Sequence, residues 1–350
     1  MEEKESEEIG TKTGKESVAL YLGIDLGTYR SSVTASNGRK SFALSMVGWP
    51  RDAVALRLLG KPILFGEEAM THRLSLDLHR PLERGVIKEE TSRDRKAVRE
   101  LTRHVIELAE PSPSSKVYAV IGAPARASTV NKQALVDAVN GLLTAVIVVP
   151  EPFAVAYGLG TLQHTLVVDV GAGTVDFCRA HGAMPTECDL RTLYKAGDYI
   201  DEHLLQLVKE RYENAQVTIG MIRKYKEEYS FVSEIDQTIS VEFPIAGRPV
   251  SCDITEEMKK ACESIVPEII EMIEDLITTA DPEFQGALRN NIILAGGGSQ
   301  ITGLDKLMER QLANLGGGHI TVVADAIYAG SDGALKLAMD LPEGYWQQLE

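Results

Sequence analysis

Residues 165–178 read TLVVDVGAGTVDFC, and residues 20–33 read LYLGIDLGTYRSSV. Each is a β-rich run that reaches an aspartate (Asp169, Asp25), turns through glycine and small residues carrying a threonine, and resumes as a second β-like run. Such runs on either side of a glycine turn predict a β-hairpin. The two aspartates stand about 144 positions apart, so the chain reads as two related halves, each opening with a hairpin. One such segment alone would say little. The acidic residue kept just ahead of both turns marks the pair as a repeat.

Working outward, Lys116 to Gly122 (KVYAVIG) predicts a buried strand, 127–139 a helix and 142–149 another strand. Pro150-Glu151-Pro152 then leads into a helical stretch over 153–157. Beyond the second repeat, helices are expected over 199–212 and 221–229. A strand pair over 241–245 and 249–254 turns at Gly247, and a single long amphipathic helix follows over 256–279. A strand over 291–295, the run Gly296-Gly297-Gly298 and a helix over 304–313 come next. Residues 77–105, rich in Arg and Glu, read as a connector followed by an exposed helix. Strands alternating with helices place the chain in the α/β class.

The chain has 350 residues, 44% of them hydrophobic and 25% charged, enough to bury a substantial core and more than one ordinary core needs. Two domains are therefore expected: 18–155, with a smaller subdomain at about 45–105, and 156–350, with one at about 200–255. A formal net charge of −15 argues against nucleic acid or anionic lipid as a partner. No stretch reaches the ~18 uninterrupted apolar residues of a membrane span, and direct membrane insertion is not expected. Residues 1–17 are polar and acidic, unlike a signal peptide or an amphipathic anchor, and read as a disordered tail. Four cysteines without C-x-x-C spacing fit a reducing, cytoplasmic compartment.

Three glycine-bearing segments carry the chemistry. In Asp25-Leu26-Gly27-Thr28 a residue without a Cβ lets backbone N–H groups approach phosphate oxygens, and the threonine hydroxyl adds a donor. Asp169-Val170-Gly171-Ala172-Gly173-Thr174 repeats the device with two glycines. Asp25 and Asp169, one from each half, are candidates to hold a hydrated divalent ion between them. Gly296 to Gly298, between a strand and a helix, offer bare backbone to a flat ring. Taken singly, D-x-G-T is a common turn and a glycine triplet an ordinary loop. Neither matches a P-loop or a G-x-G-x-x-G fingerprint. The ordered set is what is specific.

That set resembles a known pattern. D-h-G-T, then E-P-x-x-V-x-Y, D-h-G-x-G-T-x-D, A-G-D-x-x-D and h-h-A-G-G-G follow one another from about residue 18 to the C-terminus, as in the actin, Hsp70 and sugar kinase superfamily. The resemblance implies an actin-like ATPase fold: two related RNase H-like domains around a nucleotide cleft holding ATP and Mg²⁺, each with a smaller subdomain. It assigns Asp25, Gly27 and Thr28 to a first phosphate loop and Gly171, Gly173 and Thr174 to a second. Asp169 falls near the metal waters, Gly197 and Asp198 near ribose and phosphates, and Gly296, Gly297 and Gly298 near adenine. Glu151, which in isolation reads as a helix-start carboxylate, becomes the residue that orients or activates the attacking water. Lys226, otherwise a charge on an exposed helix, becomes an adenine-side lysine.

Segments outside these loops, such as Phe65-Gly66-Glu67-Glu68-Ala69, Pro81 to Ile87 and the closing LPEGYWQQL, resemble bacterial actins of the MreB type, in particular the branch that positions magnetosomes. The branch implies ATP-dependent dynamic homopolymer filaments and magnetosome-associated adaptor proteins. The loop 47–60 and the segment 240–255 are candidate longitudinal contacts. Ser32 stands where eukaryotic actin carries a lysine after its first phosphate turn. A soluble small-molecule kinase of the same superfamily is the alternative, with Asp176 as its candidate base. A chaperone of the Hsp70 type is disfavoured, because only about 50 residues follow the last glycine run.

Overall fold

The computed structural model describes residues 19–87 and 92–349, so the acidic tail expected over 1–17 lies outside the described residues. The first repeat forms antiparallel strands β1 (Ala19–Leu26) and β2 (Arg30–Ala35), and β3 (Lys40–Leu44) continues the meander. Strands β4 (Lys116–Ala123) and β5 (Ala145–Pro150) add in parallel on the other side of β1, giving the order β5-β4-β1-β2-β3. The second repeat forms β6 (Gln163–Val170) and β7 (Val175–His181), extended by β8 (Leu190–Leu193) on one side. On the other side lie β9 (Ile292–Ala295) and β10 (Ile320–Val322), in parallel, for the order β10-β9-β6-β7-β8.

Numbered within each half, both sheets run 5-4-1-2-3. The register repeats as well. Asp25 pairs with Ser32 across the first hairpin and Asp169 with Asp176 across the second. Leu26–Ser31 and Val170–Val175 are the last paired positions, so each hairpin closes through four residues. Leu166, Val167, Val168 and Val170 are all fully buried. Such a continuous apolar run, rather than an alternating one, is what a strand covered on both faces requires.

The helix α1 (Glu151–Leu159) starts directly at the end of β5. Pro152 sits in its first turn, where a missing N–H costs nothing, and Gly160 ends it in the left-handed conformation at φ 70°. Further on come α2 (Gly197–Arg211), α3 (Ile219–Tyr229) and the hairpin Ser240–Ile245 with Arg248–Asp253, whose turn puts Ala246 and Gly247 at positive φ.

The single helix expected over 256–279 is two, α4 (Thr255–Glu263) and α5 (Val266–Thr278). Pro267 has no N–H to offer the carbonyl of Glu263, and its ring would strike that carbonyl. The helix expected within 77–105 runs Ser92–Glu107 and is amphipathic, not simply exposed, burying Ala97, Val98, Leu101, Thr102, Val105 and Ile106. Residues 47–60 are not a loop but a strand, Val47–Pro50, and a helix, Ala53–Leu59.

The helix α6 (Ala329–Asp340), not read from the sequence, crosses back from the second half to pack on β1 and α1. Glycines make this approach possible. A Cβ on Gly23 would lie 2.0 Å from the Ser331 carbonyl oxygen, and one on Gly333 would lie 1.8 Å from that of Ala154. Past α6, Trp346 is fully buried against Tyr21 and Tyr118 on the first sheet.

Candidate functional site

The carboxyl ends of β1 and β6, both hairpin turns, the starts of α1 and α2, one face of α3 and the glycine run after β9 enclose a cavity of about 490 Å³. Cavities of ~300–1,000 Å³ are the usual size of small-molecule sites. Asp25, Gly27, Thr28, Glu151, Asp169, Gly171, Gly173, Thr174, Gly197, Lys226, Gly296, Gly297 and Gly298 all line it. Asp198 does not. Its N–H donates to the Ala172 carbonyl at 2.7 Å, and its carboxylate turns away to Arg80 and Arg223.

The two turns touch across the cleft. A Cβ on Gly173 would lie 2.4 Å from Thr28 Oγ1 and 2.9 Å from the Arg84 backbone. Thr28 Oγ1 accepts a hydrogen bond from the Gly85 N–H at 2.7 Å, which leaves the hydroxyl proton to be donated elsewhere. In the second turn the Gly171 N–H donates to the Thr174 carbonyl at 2.9 Å.

Gly296 lies at φ +76°, and a Cβ there would meet Asp169 Oδ1 at 2.4 Å. One on Gly298 would meet Val170 Cγ1 at 2.3 Å, whereas Gly297 has nothing within 4 Å of that position. The run is thus bare backbone pressed on the end of β6 with one open side. Lys226 Nζ donates to the Gly197 carbonyl at 2.8 Å. It also lies 2.7 Å from Asp201 Oδ1, an ion pair in distance without hydrogen-bond alignment.

Asp25, Glu151, Asp169 and Asp176 form a buried acidic group whose pKa values all rise. Burial pushes the Asp25 carboxyl up to about 7, and a hydrogen bond with Glu151 opposes part of that rise. Burial first, and then the charges of Asp25, Asp169 and Asp176, hold Glu151 well above the usual carboxylate range. Asp169 is raised well above it by burial and by Asp25 and Asp176. Pairs of carboxylates forced together in low dielectric retain protons in this way.

Asp25 Oδ1 is buried and unpartnered. Hard oxygen donors in excess negative charge suit a divalent cation. Among the described residues no three potential ligands converge closely enough to hold an ion directly. The fit is therefore to an ion that keeps its waters, as Mg²⁺ does.

Asp176 is occupied structurally. It accepts from the Ala125 N–H at 2.8 Å and from Thr192 Oγ1 at 2.6 Å. Ser32 Oγ, at the equivalent register position, donates to Ser331 Oγ at 3.1 Å. The lining also includes Tyr29, Arg30, Glu227, Gln300, Ile301 and residues 324–327. The first five neighbour motifs already read from the sequence. Residues 324–327 follow β10, a three-residue strand with no pattern to announce it.

Two duplicated sheets meeting at a cavity, with one glycine turn contributed by each, define an actin-like nucleotide fold. The family model MreB/Mbl protein matches residues 20–340, and the chain belongs to that family. Within it, the chain is similar to the actin-like protein MamK of Paramagnetospirillum magneticum, 44% identical over 330 residues that cover 94% of this chain and 95% of the relative. The MamK double helical filament superposes with a TM-score of 0.91 at 43% identity, covering 93% of this chain and 100% of that one. A non-polymerising MamK mutant bound to AMPPNP superposes with a TM-score of 0.72 at 42% identity and the same coverage. Among the described residues no helix is long and apolar enough to cross a membrane, and none of the four cysteines is paired.

Proposed function

We propose that this chain is a filament-forming ATPase in which ATP binding drives polymerisation and hydrolysis promotes filament turnover. The observation that carries the reading is the pairing of two phosphate-type turns, one from each half, over a buried carboxylate group. The similarity to a filament and to an AMPPNP-bound mutant supports it. The backbone N–H groups of the turns at Gly27 and Gly171–Gly173, with the Thr28 and Thr174 hydroxyls, would hold the phosphates. Gly296–Gly298 and Lys226 would flank the adenine, and Gly197 the ribose. Asp198 would act near them indirectly, by holding the second turn through the hydrogen bond from its N–H to the Ala172 carbonyl.

Asp25 and Asp169 are the residues that would hold Mg²⁺ through its waters, and the ion would supply neutralisation of phosphate charge. Glu151 has the position for orienting water: it stands at the cavity wall, hydrogen-bonded to Asp25, at the N-terminus of a helix whose dipole opposes part of the rise that burial and the neighbouring carboxylates impose. Phosphoryl transfer depends on positioning, so a fixed carboxylate is the group this chemistry needs.

For the domains, we take 18–155 and 156–350 as the two working halves, with α6 tying the second onto the sheet of the first. The partner is a second copy of this chain, with magnetosome-associated adaptors as further partners. The setting is a cytoplasmic filament alongside magnetosome membranes. A soluble kinase is less well supported, because its candidate base Asp176 is bound to Ala125 and Thr192 and does not line the cavity.

The test is light scattering with ATP, ADP or no nucleotide, with electron microscopy on the same samples, for the native chain and Glu151→Ala. Polymer with ATP that persists longer in the variant is the expected result. Losing a positioned acid–base group should slow turnover by ~10²–10⁴. ATP turnover without polymer would overturn the filament reading.

A further inference from the structure

Helices α2 and α3 face each other with charges at helical spacing, Asp198 and Asp201 on one and Arg223 and Lys226 on the other. Arg223 Nε donates to Asp201 at 2.7 Å and its Nη2 to Asp198 at 2.9 Å. Asp201 is completely buried. This network would be internal to the second half but for two residues of the first. Arg80 Nε donates to the Thr28 carbonyl at 2.9 Å, while its Nη2 reaches Asp198 at 3.0 Å. Tyr29 belongs to the first turn and lines the cavity. Its ring centroid lies 4.5 Å from the Arg223 guanidinium carbon and 5.8 Å from that of Arg80.

We propose that Arg80, Tyr29, Asp198 and Arg223 form a clasp across the cleft that pins the first turn to the second half and slows escape of the bound nucleotide. Arg80 is its positioning residue. The proposal rests on the reading of the cavity as an ATP site. Arg80 does not line the cavity and acts through the Thr28 carbonyl and the Asp198 carboxylate.

Within the second half Arg80 is redundant, because Arg223 already satisfies Asp198 and Asp201. What Arg80 adds is the tie between halves. Separating them breaks its ion pair with Asp198 and withdraws Tyr29 from Arg223, while its hydrogen bond to Thr28 stays within the first half and anchors the turn to the clasp. A cation over an aromatic face gains strength as it is desolvated, so this contact is worth most when the cleft is closed.

The experiment is stopped-flow release of a fluorescent ATP analogue in Mg²⁺, from full-length protein diluted below its assembly concentration. The variants are Arg80→Met, Asp198→Asn, their double mutant and Arg80→Lys, each with its thermal midpoint. Arg80→Met should release the analogue about fivefold faster, the loss of the one part-buried ion pair that Arg80 makes between the halves. Its midpoint should stay near that of the native chain. Adding Asp198→Asn should change little further, and Arg80→Lys should recover part of the loss. An unchanged release rate in Arg80→Met, or a lowered midpoint without faster release, would overturn the clasp. Failure of the native chain to bind the analogue at all would instead defeat the ATP reading on which the clasp depends.

Discussion

Replacing Gly333 with alanine tests whether the contact between α6 and α1 positions the site. Both helices meet there backbone to backbone. The new Cβ would lie 1.8 Å from the Ala154 carbonyl oxygen and 2.5 Å from its carbon. To reach ordinary contact the helices must part by roughly 1.5 Å, and no flexible side chain at the contact can give way instead. Overpacking of this kind costs ~1–3 kcal/mol or more, while alanine returns up to ~1 kcal/mol of helix propensity. With backbone on both sides the upper end applies, and the net loss is about 2 kcal/mol, or ~3 °C in thermal midpoint for a protein of this size.

The functional effect should be larger than the stability effect. Glu151, the proposed water-orienting group, begins the helix that must move, and a displacement of ~1 Å at such a group costs on the order of 10²-fold in rate. Gly286→Ala is the matched control. Nothing lies within 4 Å of its Cβ position and its φ is not left-handed, so it should be neutral or stabilising by up to ~1 kcal/mol. Thermal midpoints and ATP turnover would be measured on both variants beside the native chain. A Gly333→Ala protein as stable and as active as the native chain would refute the argument that this contact sets the position of Glu151.

Two further predictions concern the buried carboxylates. Asp25 releases its proton near 3.8 in the unfolded chain but only at about 7 in the fold, and Glu151 and Asp169 are raised too. The folded state therefore binds more protons across that window, so stability is greatest at its acid end and falls as pH rises toward 7. Thermal melts of nucleotide-free protein from pH 5 to 7.5 should show this fall, and Mg²⁺ with nucleotide should reduce it. Asp189, Asp253 and Glu309, held below their ordinary values, act in the opposite sense only at lower pH. Asp176→Leu would strand the Ala125 N–H and the Thr192 hydroxyl and should lower the urea midpoint by the equivalent of ~2–5 kcal/mol. Asp176→Asn keeps an acceptor oxygen and should stay active. Loss of activity in a stable Asp176→Asn protein would revive the kinase reading.

The parts of the fold legible in the sequence are those where local pattern and tertiary demand agree. The hairpins at Asp25 and Asp169 and the glycine run at 296–298 each combine an apolar run with a glycine that the backbone geometry requires, and the strand over 116–123 is a continuous apolar run buried on both faces. Helix α6 escaped because its packing face is made of Gly330, Ser331, Gly333 and Ala334, which carry little hydrophobic signal. Only the partner surfaces on β1 and α1 explain them. Periodicity alone merges the two helices over 256–279, because the amphipathic pattern continues across the break and hides Pro267. Asp198 was assigned to the ligand by its motif, but its side chain is drawn to Arg80 and Arg223. Neither arginine forms a pattern with it along the chain, and only the fold brings them together.

Duplication also explains why the site can be asymmetric although its framework is not. Ser32 and Asp176 occupy the same register position beside Asp25 and Asp169. Each is used to fasten an element that crosses between the halves: Ser32 holds Ser331 on α6, and Asp176 holds the Ala125 backbone after β4. The two halves are thus bound behind the carboxylate group by groups buried with it, and at the cleft mouth by the part-exposed Arg80–Asp198 pair. Opening should begin where the ion pair is solvated and weak, at the mouth, and pivot about the buried hydrogen bonds. A cleft built this way can admit and release nucleotide while Asp25, Glu151 and Asp169 keep their mutual geometry.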